Sequence, residues 1–195
     1  MRSSHAGFVL VVCMVGCTGR PGSAPVTDNR PTFAVPARGD RPRYNGGIEI
    51  DEGSGLRWTG DIEMALMRAS KHGKRVFVAF EGLIDVNCRL NRVNYFNQKP
   101  VREALGQYVL VSLHIDRVPD RFYVKEPPRG DGDADAEANA KFLQETFETI
   151  TEPSYAVLDP VDSTHFKVVG FYEAGRIEDG ARFVEFLKDP AKRPE

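Results

Sequence analysis

The run Arg75-Val76-Phe77-Val78-Ala79-Phe80 constrains this chain more than any other stretch. From Val76 to Phe80 neither parity carries a polar side chain, so a strand there shows apolar groups to both faces. Such a strand belongs in the middle of a sheet covered on both sides. Tyr108 to Ile115 (YVLVSLHI) reads as a second buried strand. Tyr155-Ala156-Val157-Leu158 gives a third and Phe166 to Phe171 a fourth, separated by the turn cluster Asp159-Pro160-Val161-Asp162.

The covering helices are legible between the strands. Ile62, Ala65, Leu66 and Ala69 fall at i, i+3, i+4 and i+7, with Thr59 or Asp61 to cap the start and Gly73 just past the end. After the loop Glu81-Gly82-Leu83-Ile84, a second helix opens at Asp85, with Val86, Leu90, Val93 and Phe96 as its expected inner face. Pro100 opens a short helix through Leu105. Residues 117–134 are rich in polar residues, Pro and Gly and read as an inserted loop, followed by a helix over 135–148 with Ala140, Phe142, Leu143 and Phe147 partly inward. A last helix over 180–187 turns Phe183, Val184 and Leu187 inward. The order is helix, strand, helix, strand, helix, strand, strand, helix. That is an α/β chain with helices on both faces of a small sheet.

The N-terminus reads as an address. Residues 1–17, MRSSHAGFVLVVCMVGC, carry Arg2 and then an apolar run from Phe8 to Gly16. The run is shorter than the roughly 20 residues a membrane-spanning helix needs, and the pattern is that of a secretory signal peptide. Met14-Val15-Gly16-Cys17 resembles the bacterial lipobox, whose cysteine becomes lipidated; ordinary signal cleavage shortly after Cys17 is the alternative. Residues 18–47 are rich in Gly, Pro, Arg, Ser and Asp and read as a flexible tether, with the folded domain over 48–195. The expected location is outside the cytoplasm, periplasmic or membrane-anchored through Cys17. A net charge of −2 supplies no basic field, so nucleic acid is not an expected partner. Three cysteines, Cys13, Cys17 and Cys88, are too few for a disulfide-stapled mini-protein.

Three local matches give a resemblance to the thioredoxin-like family over roughly residues 56–188. Val76 to Phe80 followed by Asp85-Val86-Asn87-Cys88-Arg89 resembles the strand, loop and Cys-x-x-Cys-Lys/Arg helix start of thioredoxins. Phe96, Pro100-Val101 and the following YVLVSLHID resemble the C-terminal domain of DsbD-type thiol:disulfide interchange proteins and related bacterial thioredoxin-like lipoproteins. Glu152-Pro153-Ser154-Tyr155 resembles the cis-proline site that faces the active cysteines in this fold. The resemblance implies a small mixed sheet and thiol-disulfide chemistry. It also implies a peptide-binding groove around Ile84, Glu152 and Pro153, because the residue before the cis-proline pairs its backbone with a substrate peptide.

The sequence departs from that family at the positions that carry the chemistry. Asp85 stands where the family has its nucleophilic cysteine, Ile84 where it has an aromatic residue, and Ala79 where it often has a buried acid. Only Cys88, in the resolving position, remains. Dithiol exchange needs one thiolate to attack and a second thiol to resolve the mixed disulfide. A carboxylate at Asp85 can do neither, but it is a strong helix cap, able to accept an N–H from Asn87 or Cys88. Cys88 reads as a quiet core thiol or as a lone reactive one; the helix start and Arg89 favour its thiolate, while Asp85 opposes it. Glu81 lies two residues beyond Ala79 on the same parity and reads as a loop-edge carboxylate, with replacement of the missing acid as the alternative.

Other chemistry finds no support in the residues. Asp131, Asp133, Asp135 and Glu137 resemble a calcium loop, but Ala136 stands at its glycine position and Phe142 at its bidentate glutamate. His72, His114 and His165 have no metal-ligand spacing with Cys88. No cofactor and no metal is expected. The function expected is an exported protein- or peptide-binding module of thiol-disulfide ancestry, its partner a protein, a peptide or a separate redox protein. A monothiol protein forming mixed disulfides through Cys88 is the alternative.

Overall fold

The computed structural model describes residues 28–36, 48–123, 131–173 and 175–192. In chain order these form β1 (Thr32–Ala34), β2 (Glu49–Ile50), β3 (Arg57–Thr59), α1 (Ile62–His72), β4 (Val76–Glu81), α2 (Val86–Asn91), α3 (Lys99–Leu105), β5 (Val109–His114), α4 (Asp131–Phe147), β6 (Ser154–Pro160), β7 (His165–Glu173) and α5 (Gly180–Lys188). A π-helical turn, Arg92–Phe96, continues α2, and a 3-10 turn covers Asp120–Phe122. The strands form one sheet in the order β1-β7-β6-β4-β5-β3-β2.

β4 is buried along its whole length, as its sequence requires. It pairs parallel with β5 and antiparallel with β6, while β5 also pairs parallel with β3. The sheet is therefore mixed. Phe77 and Ala79 face a core shared with Trp58, Phe96, Tyr155 and Phe183 under α3 and α5. Val76, Val78 and Phe80 face the opposite core, with the Ile62, Ala65, Leu66 and Ala69 stripe of α1 and with Phe142 and Leu143 of α4. One strand thus organises both layers, and burial of each large side chain contributes about 1.5–3 kcal/mol. α1 starts at Asp61, whose carboxylate accepts the Met64 N–H at 3.0 Å, and ends at Gly73 in the left-handed region with φ 61°.

Three expectations are corrected. First, the tether expected over 18–47 contains β1, which pairs antiparallel with β7. Phe33 stacks on Phe166 at 5.9 Å, and Arg30, Asp28, Asp159 and Lys167 form ion pairs along that edge. A three-residue strand is too short for its alternation to be read, and its charges pair with residues far away in the chain. Second, α4 begins at Asp131 rather than near 135, and Asp135 is buried, accepting the Tyr123 hydroxyl at 2.7 Å. Third, Val86 and Val93 face outward, 56% and 63% exposed, where an inner face was expected; Phe96 is buried as expected. The expected signal peptide, Cys17, and residues 18–27 and 37–47 of the expected tether lie outside the described residues.

Candidate functional site

The site forms where β4 and β5 end and α2 begins. Val86–Asn91 is helical because Asp85 caps it: Oδ1 accepts the Cys88 N–H at 2.7 Å. This is the cap expected of a carboxylate at that position, and such a cap contributes about 0.5–2 kcal/mol. Cys88 points inward and is only 3% exposed. Its Sγ accepts the Gly82 N–H at 3.3 Å. Burial raises the Cys88 thiol well above its ordinary value, with the Glu81 and Asp85 carboxylates adding to the rise and the Gly82 N–H opposing it.

The turn between β4 and α2 is held from outside by Asp116, which follows β5 closely. Its carboxylate accepts the Leu83 N–H at 2.8 Å and the Ile84 N–H at 3.3 Å. Burial raises the Asp116 acid, but the N–H groups of Leu83, Arg117 and Ile84 outweigh it and hold the acid below its usual range. Pinning this turn leaves Ile84 pointing into solvent, 82% exposed. Gly82 permits close packing: a Cβ there would lie 2.9 Å from Asp85 Cβ and 2.9 Å from Glu152 Oε2.

The Glu152–Pro153 bond is cis, and Pro153 is buried. Glu152 is half-buried beside it, and no hydrogen bond among the described residues engages its backbone or its side chain. Burial, with Asp116 and Asp85 nearby, raises its acid above the usual range. The structure therefore brings Ile84, Asp85, Cys88, Glu152 and Pro153 to one end of the sheet. Ile84 and Glu152 offer surface, while Cys88 and Pro153 lie beneath it.

Glu81 is not a loop-edge carboxylate. It ends β4, is 2% exposed, and forms a two-point pair with Arg92, Oε1 to Nε at 3.0 Å and Oε2 to a terminal nitrogen at 2.5 Å. The Ser112 hydroxyl donates to the same Oε2 at 2.8 Å. The Arg92 guanidinium lies over the Trp58 ring at 4.5 Å, with Asp51 3.7 Å away. A charge so deep is tolerable only when paired and hydrogen-bonded. The parity shared with Ala79 already placed Glu81 on the site face. Its partner Arg92, eleven residues on, gave no local signal.

Asn91 is the other residue that sequence reasoning missed. It is fully buried, donates to the Tyr155 hydroxyl and the Gly175 carbonyl, both at 2.9 Å, and accepts the Ile177 N–H at 2.9 Å. The inner face of α2 is thus Cys88 and Asn91. The wide turn over Arg92–Phe96 then buries Phe96 in the core, with Tyr95 half-buried against it. A π turn adds a residue to the helical period and so shifts the inward face. No group of three or more His, Cys, Asp or Glu among the described residues is placed to hold a metal ion.

No protein-family model and no curated protein matches the chain. Among solved structures it is similar to a thioredoxin from Thermus thermophilus, with 21% identity, a TM-score of 0.48, and coverage of 68% of this chain and 85% of that one. It is also similar to a DsbH oxidoreductase, with 15% identity, a TM-score of 0.45, and coverage of 65% of this chain and 78% of that one. The fold is thioredoxin-like on its own topology: parallel β3, β5 and β4 with β5 central among them, then antiparallel β6 and β7, helices on both faces, and a cis-proline opening β6.

Proposed function

We propose that this chain is an exported thioredoxin-like protein that holds a protein or peptide partner at the Ile84–Glu152 surface and runs no dithiol cycle. One observation carries the reading: the position facing Cys88 across the first turn of α2 holds a carboxylate bonded to the Cys88 amide. A mixed disulfide at Cys88 would have no second thiol in the fold to resolve it, because no other cysteine follows residue 17. The peptide-binding part draws support from the unengaged Glu152 backbone beside the exposed Ile84 side chain. An extended peptide can pair with such a backbone.

The monothiol alternative draws less support. Its nucleophile would be a buried thiol pushed away from the thiolate form by burial and by Glu81. We further place the chain's kin among the C-terminal domains of DsbD-type proteins and related lipoproteins, with Cys17 as the lipid anchor. The Phe96, Pro100-Val101 and YVLVSLHID matches support that kinship, and the lipobox-like Met14 to Cys17 supports the anchor.

Insulin-disulfide reduction in the presence of a dithiol reductant tests the central point. The purified protein should leave the rate at that of the reductant alone. A clear acceleration that Cys88→Ser abolishes would refute the reading.

A further inference from the structure

We infer that the strip formed by Ile84, Val86, Leu90 and Val93 docks a partner segment that carries Lys or Arg beside aliphatic residues, with its basic end over Ile84; this inference rests on the binding function proposed above. Val86, Leu90 and Val93 fall at i, i+4 and i+7, the spacing that normally marks a buried helix face. Here that face is turned outward. Val86 and Val93 are more than half exposed, Leu90 is half-buried between them, and Ile84 extends the strip past the start of the helix. The core beneath is already filled by Cys88, Asn91 and Phe96, so nothing among the described residues calls for a second apolar stripe. Exposed apolar side chains with a polar border are the form that interaction sites take.

The border gives the chemistry of the occupant. Asp85, Asp116 and Glu152 gather round the 82–85 turn, two of them fixed there by backbone N–H groups. None has an ion-pair partner among the described residues. Their mutual repulsion would be relieved by a cation. A second copy docked with the two Ile84 ends together would instead set one carboxylate group against another. Two basic residues lie in the stretch 82–96, and Arg92 is committed to Glu81. The other, Arg89, is exposed beside Leu90, so the partner's positive charges belong at the Ile84 end.

The test uses the full chain and three synthetic peptides: one alternating Lys with Leu and Val, a second with Glu for Lys, and a third with Ser for Leu and Val. The first should bind, by fluorescence anisotropy, about tenfold or more tighter than either of the others. Its amide shift changes should map to residues 84–93. Glu152→Lys and Ile84→Ser should each weaken it by about tenfold, while Val161→Ser, at the far end of β6, should leave it unchanged. Equal binding of the acidic peptide at the same residues overturns the cationic assignment and leaves the binding function standing. Shifts that map elsewhere, or no binding by any peptide, overturn the strip as a dock, and insulin reduction remains the separate arbiter of the non-redox reading. Self-association that Ile84→Ser abolishes overturns the inference by making a second copy the occupant.

Discussion

The Cys88 N–H donates to Asp85 Oδ1 at 2.7 Å. The two residues that bracket the first turn of α2 are therefore joined by a capping bond. Asp85 secures the helix start and supplies no thiol there.

The cap itself can be measured. Asp85→Ala should lower stability by about 0.5–2 kcal/mol, and Asp85→Asn by less, because an asparagine oxygen still caps. Urea unfolding of the two variants against the parent gives both numbers. An alanine variant as stable as the parent would mean that the Asp85 bond contributes nothing to the helix start.

Asp85→Cys should create a Cys-x-x-Cys pair with Cys88. In a background with Cys13→Ser and Cys17→Ser, mild oxidation should consume both remaining thiols within one chain, seen as a mass loss of two hydrogens with no dimer. Persistent free thiols would contradict the placement of residue 85 at the helix start opposite Cys88.

The Glu81–Arg92 pair predicts a large asymmetry. Glu81→Ala leaves the half-buried Arg92 guanidinium with only the more distant Asp51 carboxylate and should cost up to about 3–5 kcal/mol. The double variant Glu81→Leu with Arg92→Met should recover much of that loss, because removing both charges also removes the need to pair them. A double-mutant cycle by denaturant unfolding reads the difference. A small cost for Glu81→Ala would show that Arg92 reaches solvent easily.

His114 predicts a pH dependence. It is buried against Phe122, and no partner among the described residues takes up its Nδ1. Burial pushes its ring below the ordinary 6.5; Arg92 and Arg121 add to this, while Glu81 and Asp116 oppose it. The unfolded chain therefore takes up the proton first as pH falls. Stability present above about 6.5 should decline as pH drops from there toward the lower folded value. Urea midpoints between neutral pH and about pH 5 should fall less steeply in His114→Gln than in the parent.

Much of the fold could be read from apolar spacing. Val76 to Phe80 announced a central strand, and Ile62, Ala65, Leu66 and Ala69 announced a covering helix, because each pattern has one physical solution. The Asp85 cap followed from residue type at a helix start, whereas Cys88 read as a quiet core thiol or a reactive one until the structure placed it in the interior. What escaped was set by distant partners. Val86, Leu90 and Val93 fit an inner face as well as the true one does, and only the contacts of Asn91 with Tyr155, Gly175 and Ile177 decide between them. Glu81 looked like a surface acid because Arg92 and Ser112 reach it only in the folded chain. The charges of residues 28–30 looked like tether for the same reason.

The most direct measurement is thiol titration of Cys88 in the Cys13→Ser, Cys17→Ser background, in the native state and after denaturation. The sealed, cap-bonded site predicts no reaction with an aromatic disulfide reagent until the chain unfolds, and one thiol per chain thereafter. Rapid stoichiometric reaction of the native protein at neutral pH would contradict it, and would return Cys88 to the role of a working thiol.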